Sequence, residues 1–117
     1  ALRNSLIKAS TLLYLEFHSK GTVVTVEGPR FSTKAESLLF RSWGCDIINM
    51  STVPEIVLAR ELEIEYQSIA MSTDYDCWHE SEEEVTMEMI FAVMKKNVHH
   101  VKKLIEHTIP LIKEEIG

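Results

Sequence analysis

Asp74 and Asp76 stand two residues apart in the stretch Ser72-Thr73-Asp74-Tyr75-Asp76-Cys77-Trp78. On an extended backbone that spacing sends both carboxylates to the same side. Such a pair can bind a divalent cation, as in metal-dependent glycosyl transfer. It can equally read a nitrogen base by accepting and donating hydrogen bonds. In a third reading one acid caps the next turn and the other is solvated. Spacing alone leaves all three open.

Two other stretches present polar groups beside a turn. In Glu27-Gly28-Pro29-Arg30-Phe31-Ser32 a tight turn runs into a helix start, whose free N–H groups suit an anion or a polar ligand. Phe31 can stack on a flat ring there, or simply staple the helix to the core. In Asn49-Met50-Ser51-Thr52 a second helix start carries two hydroxyls suited to phosphate. Thr52 accounts for the cap, which leaves Ser51 for a ligand. His18, His79, His99, His100 and His107 form no metal-ligand spacing. The last three share a helical surface with lysines and read as solvated. No nucleophile elbow, P-loop or zinc signature occurs.

These groups need elements to hold them. Leu2, Leu6, Ala9, Leu12 and Leu13 make one stripe of a helix over residues 2–15. The β-branched run 22–26 predicts a strand, stopped by Gly28-Pro29. Thr33 with Glu36 is a capping box for a second helix, and Gly44 is its stop. Ile47 and Ile48 form a brief strand. Thr52 with Glu55 is a second capping box, with Pro54 in the tolerated first turn. Residues 66–72 predict a third strand, which feeds the acid pair, with Trp78 close behind. An acidic loop or helix start follows at 81–84. A long helix from 86 carries Met87, Ile90, Phe91, Met94, Val98, Val101 and Ile105 at helical spacing, and Pro110 should end or kink it.

Strand and helix alternate, so an α/β layered fold with parallel pairings is expected. Three strands are few, because sheets more commonly hold roughly four to six. The Met87 face also needs a cover. We therefore expect another chain or a further segment to complete the sheet.

With 117 residues the chain has room for one modest domain. Its 45% hydrophobic and 26% charged content is that of a soluble globular protein. No apolar run is long enough to span a bilayer, and no basic-then-apolar leader opens the sequence. A net charge of −6 disfavours non-specific binding to nucleic acid or an anionic membrane. Cys45 and Cys77 form no CxxC and fit a reducing intracellular setting, with a disulfide left open. Ala1 in place of Met fits a processed chain or a fragment.

The three polar stretches, extended through Val53-Pro54-Glu55, resemble in order and spacing the methylthioadenosine phosphorylases, a branch of the trimeric purine nucleoside phosphorylase family. The resemblance covers nearly all of this sequence but only the C-terminal portion of a family enzyme. It implies a three-layer α/β phosphorylase-type fold, a central mixed sheet flanked by helices, of which this chain is an incomplete part. Residues 1–117 would be the C-terminal portion of a single nucleoside phosphorylase domain. The implied reaction is phosphorolysis of methylthioadenosine to adenine and 5-methylthioribose 1-phosphate. Phosphate is a co-substrate, and no cofactor or metal is implied. By resemblance Phe31 packs on the purine or sugar, Ser32 lies beside the base, Met50 lies against the ribose and Ser51 reaches phosphate. Asp74 faces purine N7 and Asp76 the 6-amino group, while Met87, Ile90 and Phe91 line the methylthio pocket.

The implied chemistry explains the acids. Adenine leaves poorly as an anion, and a buried carboxylic acid that protonates N7 makes it a better leaving group. An ionised Asp76 accepts from a 6-amino group and disfavours a 6-oxo purine. Related enzymes for 6-oxopurines carry Asn where Asp74 stands. Ser51 departs from the Thr frequent in this branch and keeps the hydroxyl. The glycine-rich phosphate loop, the Arg-His phosphate pair and the substrate threonine of the family's N-terminal half have no counterpart here. The resemblance also implies a homotrimer, a missing N-terminal half as partner, and a cytoplasmic setting with a nuclear pool open. A 6-oxopurine phosphorylase and a non-catalytic purine-binding or subunit-capping module are the alternatives.

Overall fold

The computed structural model describes residues 1–77 and 86–116. Trp78, His79 and the expected acidic loop at 81–84 lie outside the described residues. The elements run α1 (Leu2–Leu12), β1 (Val23–Thr25), α2 (Lys34–Ser42), β2 (Ile47–Asn49), α3 (Glu55–Glu61) and α4 (Met87–Ile116). They fall in two compact units. One holds residues 1–19, 65–73 and 85–117, and the other holds 20–64 and 74–84.

In the first unit α1 packs on α4. Of the expected stripe Ala9 is buried, Leu2, Leu6 and Leu13 are half-buried and Leu12 is exposed, while Ser5 and Ser10 are buried beside Ala9. Small side chains let the two helix backbones come close, where Leu104 and Thr108 of α4 are buried. The end of α1 comes earlier than the periodicity predicts. Tyr14 turns left-handed (φ 54°), and the Leu15 N–H bonds back to the Ser10 carbonyl, closing the helix at Leu12. At the start of α4, Thr86 Oγ1 accepts from the Met89 N–H at 3.3 Å. The helix then runs through Pro110 instead of ending there. Met87, Phe91, Met94, Val98 and Ile105 stay exposed, so most of the apolar face read from the sequence has no cover in this chain.

Residues 66–72 form no strand. A strand exists through its ladder, and β1 and β2, both in the other unit, pair only with each other among the described residues. The segment is tied instead by side chains of its own unit. Arg3 Nε donates to Gln67 Oε1 at 3.5 Å, and Asn97 Nδ2 donates to the Ser72 carbonyl at 3.2 Å.

In the second unit β1 and β2 are parallel, in the register Val23 to Ile47 and Thr25 to Asn49. The connection between them is α2. Its N-terminus carries the expected capping box, with Thr33 accepting from the Glu36 N–H and Glu36 accepting from the Thr33 N–H. Gly44 (φ 78°) ends it, with the Cys45 N–H reaching the Phe40 carbonyl. The fold is α/β with a small parallel sheet and helices, as alternation in the sequence requires.

Candidate functional site

The first two polar stretches and residues 74–77 of the third lie in the second unit, and contacts within it join them. Gly28, at the turn after β1, faces the Met50 side chain. A Cβ at position 28 would stand 3.0 Å from Met50 Sδ, so glycine permits the close approach of the first two stretches. The third stretch meets the first through Cys77, whose Sγ lies 3.6 Å from the Ser32 carbonyl.

Asp76 is held at both carboxylate oxygens. The hydroxyl of Ser37, on the second turn of α2, donates to its Oδ2, and the Cys77 N–H donates to its Oδ1 at 2.8 Å. The Cys77 thiol in turn lies 3.2 Å from Ser37 Oγ. Asp74, expected to leave a strand end as a buried acid, sits in a bend and is exposed in this chain. The two carboxylates therefore do not share an extended strand.

Phe31 is 82% exposed, so its ring staples nothing to the core within the described chain. Ser32 Oγ is buried without a hydrogen-bond partner among the described residues. A buried orphan hydroxyl is costly unless a ligand or water completes it. Ser51 is exposed between β2 and α3. Thr52 does not cap α3, which starts at Pro54 without a side-chain cap bond. Its hydroxyl is taken by Thr25 Oγ1 at 2.7 Å and by Asn49 Oδ1 at 3.3 Å. Thr25 also donates to Asn49 Oδ1 at 2.9 Å. This cross-strand network anchors both sides of Met50 and Ser51. Met87 and Phe91 are exposed and Ile90 is half-buried at the start of α4, in the first unit. No group of three or more His, Cys, Asp or Glu suited to a metal ion occurs among the described residues.

Beside Phe31, Arg30 and Glu36 form a two-pronged ion pair at 2.8 and 2.7 Å. The Arg30 hydrogen bond, then the Thr33 N–H, hold the Glu36 carboxyl at about 2, well below the ordinary 4.5. A depressed carboxyl stabilises the fold above its unfolded value and loses that contribution as pH falls through its folded value. The Arg30-Phe31-Ser32 turn is thus expected to keep its anchor down to pH about 2. A carboxyl-carbon NMR titration should put the Glu36 midpoint there and move it upward in Arg30→Ala. A midpoint near 4.5 in the unsubstituted protein would show that the pair does not form.

Ser37 and Thr25 were not legible as site residues. Each is a hydroxyl inside a regular element, and only the fold brings it to a partner far along the chain.

The Phosphorylase superfamily profile matches residues 1–110. An S-methyl-5'-thioadenosine phosphorylase from Anopheles gambiae is 54% identical over 110 residues, covering 94% of this chain and 40% of the relative. One from Danio rerio is 50% identical, covering 94% and 39%. Among solved structures, Schistosoma mansoni methylthioadenosine phosphorylase in complex with adenine superposes with a TM-score of 0.85 at 37% identity, covering 96% of this chain and 45% of that one. The chain thus spans less than half the length of these relatives.

Proposed function

The chain belongs to the phosphorylase superfamily, and from that premise we propose that it supplies the purine-recognising half of a methylthioadenosine phosphorylase site. The observation that carries this reading is the convergence on Asp76. Its carboxylate is held by the Ser37 hydroxyl and the Cys77 N–H, and the Cys77 thiol lies 3.6 Å from the backbone carbonyl of Ser32, the residue with the orphan hydroxyl. A held carboxylate, an unsatisfied hydroxyl and an exposed aromatic ring on linked stretches suit a flat, polar-edged base.

In the proposed reaction a phosphate oxygen bonds to C1' of the ribose as the C1'–N9 bond breaks. The bonding pair leaves with the purine, and a proton at N7 neutralises it. Asp74 is the group proposed to supply or share that proton. Asp76 accepts from the 6-amino group, and Ser32 lies beside the base. Phe31 packs on the purine or sugar, Met50 lies against the ribose and Ser51 donates to phosphate. Met87, Ile90 and Phe91 are the proposed lining for the methylthio group. Phosphate is the co-substrate, with no cofactor. The two units are read as parts of one nucleoside phosphorylase domain, completed by an N-terminal half, in a homotrimer and in the cytoplasm. The activity would serve purine and methionine salvage.

The Anopheles gambiae and Danio rerio relatives carry that activity in their names, which supports the reading. Steady-state assay of the full-length protein tests it. Adenine release from methylthioadenosine is expected to depend on phosphate and to exceed hypoxanthine release from inosine. Preference for inosine would move the assignment to a 6-oxopurine enzyme. Purine binding without phosphate-dependent turnover would move it to a non-catalytic module.

A further inference from the structure

We propose that Ser37 is a positioning residue that sets the preference for a 6-amino over a 6-oxo purine by fixing the carboxylate of Asp76. This rests on the reading of Asp76 as the group that faces the 6-amino substituent. Ser37 is 1% exposed, and its hydroxyl has two neighbours, the Asp76 carboxylate and the Cys77 thiol. The order of donors follows from their chemistry. A carboxylate only accepts, so the Ser37 O–H points at Asp76 Oδ2, and Ser37 Oγ is left as one of two acceptors within reach of the Cys77 thiol, the other being the Ser32 carbonyl. The Cys77 N–H holds Oδ1 at 2.8 Å. Each carboxylate oxygen thus meets a donor from the protein and keeps lone-pair capacity for one more.

That arrangement has a consequence for substrate choice. A carboxylate held from behind by donors on both oxygens cannot rotate to present a different face. It offers an acceptor at a fixed place, which a 6-amino group satisfies and a 6-oxo group repels. Without the Ser37 hydroxyl, Oδ2 loses its tether. The carboxylate is then free to swing away from that place. Ser37 makes no claim on the substrate itself. It acts through Asp76, from a helix whose first turn is locked by the Thr33–Glu36 capping box.

The test is a double-mutant cycle in the full-length protein. kcat/KM is measured for methylthioadenosine and for methylthioinosine on the same preparation, so any loss of folded enzyme scales both and leaves their ratio unchanged. Ser37→Ala is expected to lower the 6-amino to 6-oxo ratio by about tenfold, the size of one hydrogen bond to a charged group. In an Asp76→Ala background the same substitution should leave the ratio where Asp76→Ala alone puts it. An unchanged ratio in Ser37→Ala overturns the proposal. So does an equal fall in both backgrounds, which would mark a general structural role. If the unsubstituted protein turns over neither nucleoside with phosphate, the underlying reading of the site fails, and the proposal falls with it. Active protein with an unaltered ratio sinks the Ser37 role alone.

Discussion

Asp74→Asn in the full-length enzyme is expected to lower kcat/KM for methylthioadenosine by about 10²–10⁴-fold, the usual worth of a positioned general acid. The substitution keeps the side-chain shape and puts an amide N–H where the acid O–H would point at N7. It removes the ability to give up a proton. A thermal melt on the same sample separates a loss of chemistry from a loss of fold. Inosine should respond differently. By resemblance Asn stands at this position in enzymes for 6-oxopurines, so an amide at position 74 is expected to cost inosine turnover less, narrowing the gap between the two substrates. Equal rates for the variant and the unsubstituted protein on methylthioadenosine would remove Asp74 from the N7 role.

The residues that sequence patterning reads well are those whose partners are near in the chain. Thr33 and Glu36 satisfy each other across one helical turn, and Gly44 supplies a left-handed φ to the helix it ends. Both are legible because local geometry alone decides them. Thr52 shows the limit. Its spacing to Glu55 is that of a capping box, yet its hydroxyl bonds sideways to Thr25 and Asn49. Those partners become neighbours only when β1 and β2 pair, so a non-local contact outbids a local one. The segment at 66–72 fails in the same way. Its composition is that of a strand, but the described residues provide no ladder partner for it. Pro110 is tolerated inside α4 although it removes one backbone donor, a loss usually worth about 3 kcal/mol or more in a helix interior. The site divides along the same line. Phe31, Ser32, Met50 and Asp76 stand out by type and motif, whereas Ser37 stands out only once α2 has brought it to Asp76.

The chain alone is expected to melt without a cooperative transition and to bind the dye ANS strongly, and co-expression with the N-terminal half of the proposed enzyme is expected to reverse both. Its only buried large or small apolar side chains among the described residues are Ala9 and Leu104. Ile56, Val57 and Leu58 of α3 are exposed, as are Met87, Phe91 and Met94 of α4. The chain exposes 9594 Å², whereas a folded monomer of 13.4 kDa exposes about 6,500 Å². Contiguous apolar surface beyond a few hundred Å² is rare on a monomer and marks a face that something covers. Two-state melting depends on a core that is lost all at once, and the described residues of neither unit form one of sufficient size. Helix α3 has seven residues, too few to persist without packing. Native mass spectrometry of the co-expressed halves should show them bound together in threefold multiples, with phosphate-dependent adenine release present only in that complex. A sharp two-state melt of the lone chain, with little dye bound, would mean that its exposed faces need no partner. The reading of these residues as half of a phosphorylase site would then give way to that of a self-sufficient purine-binding module.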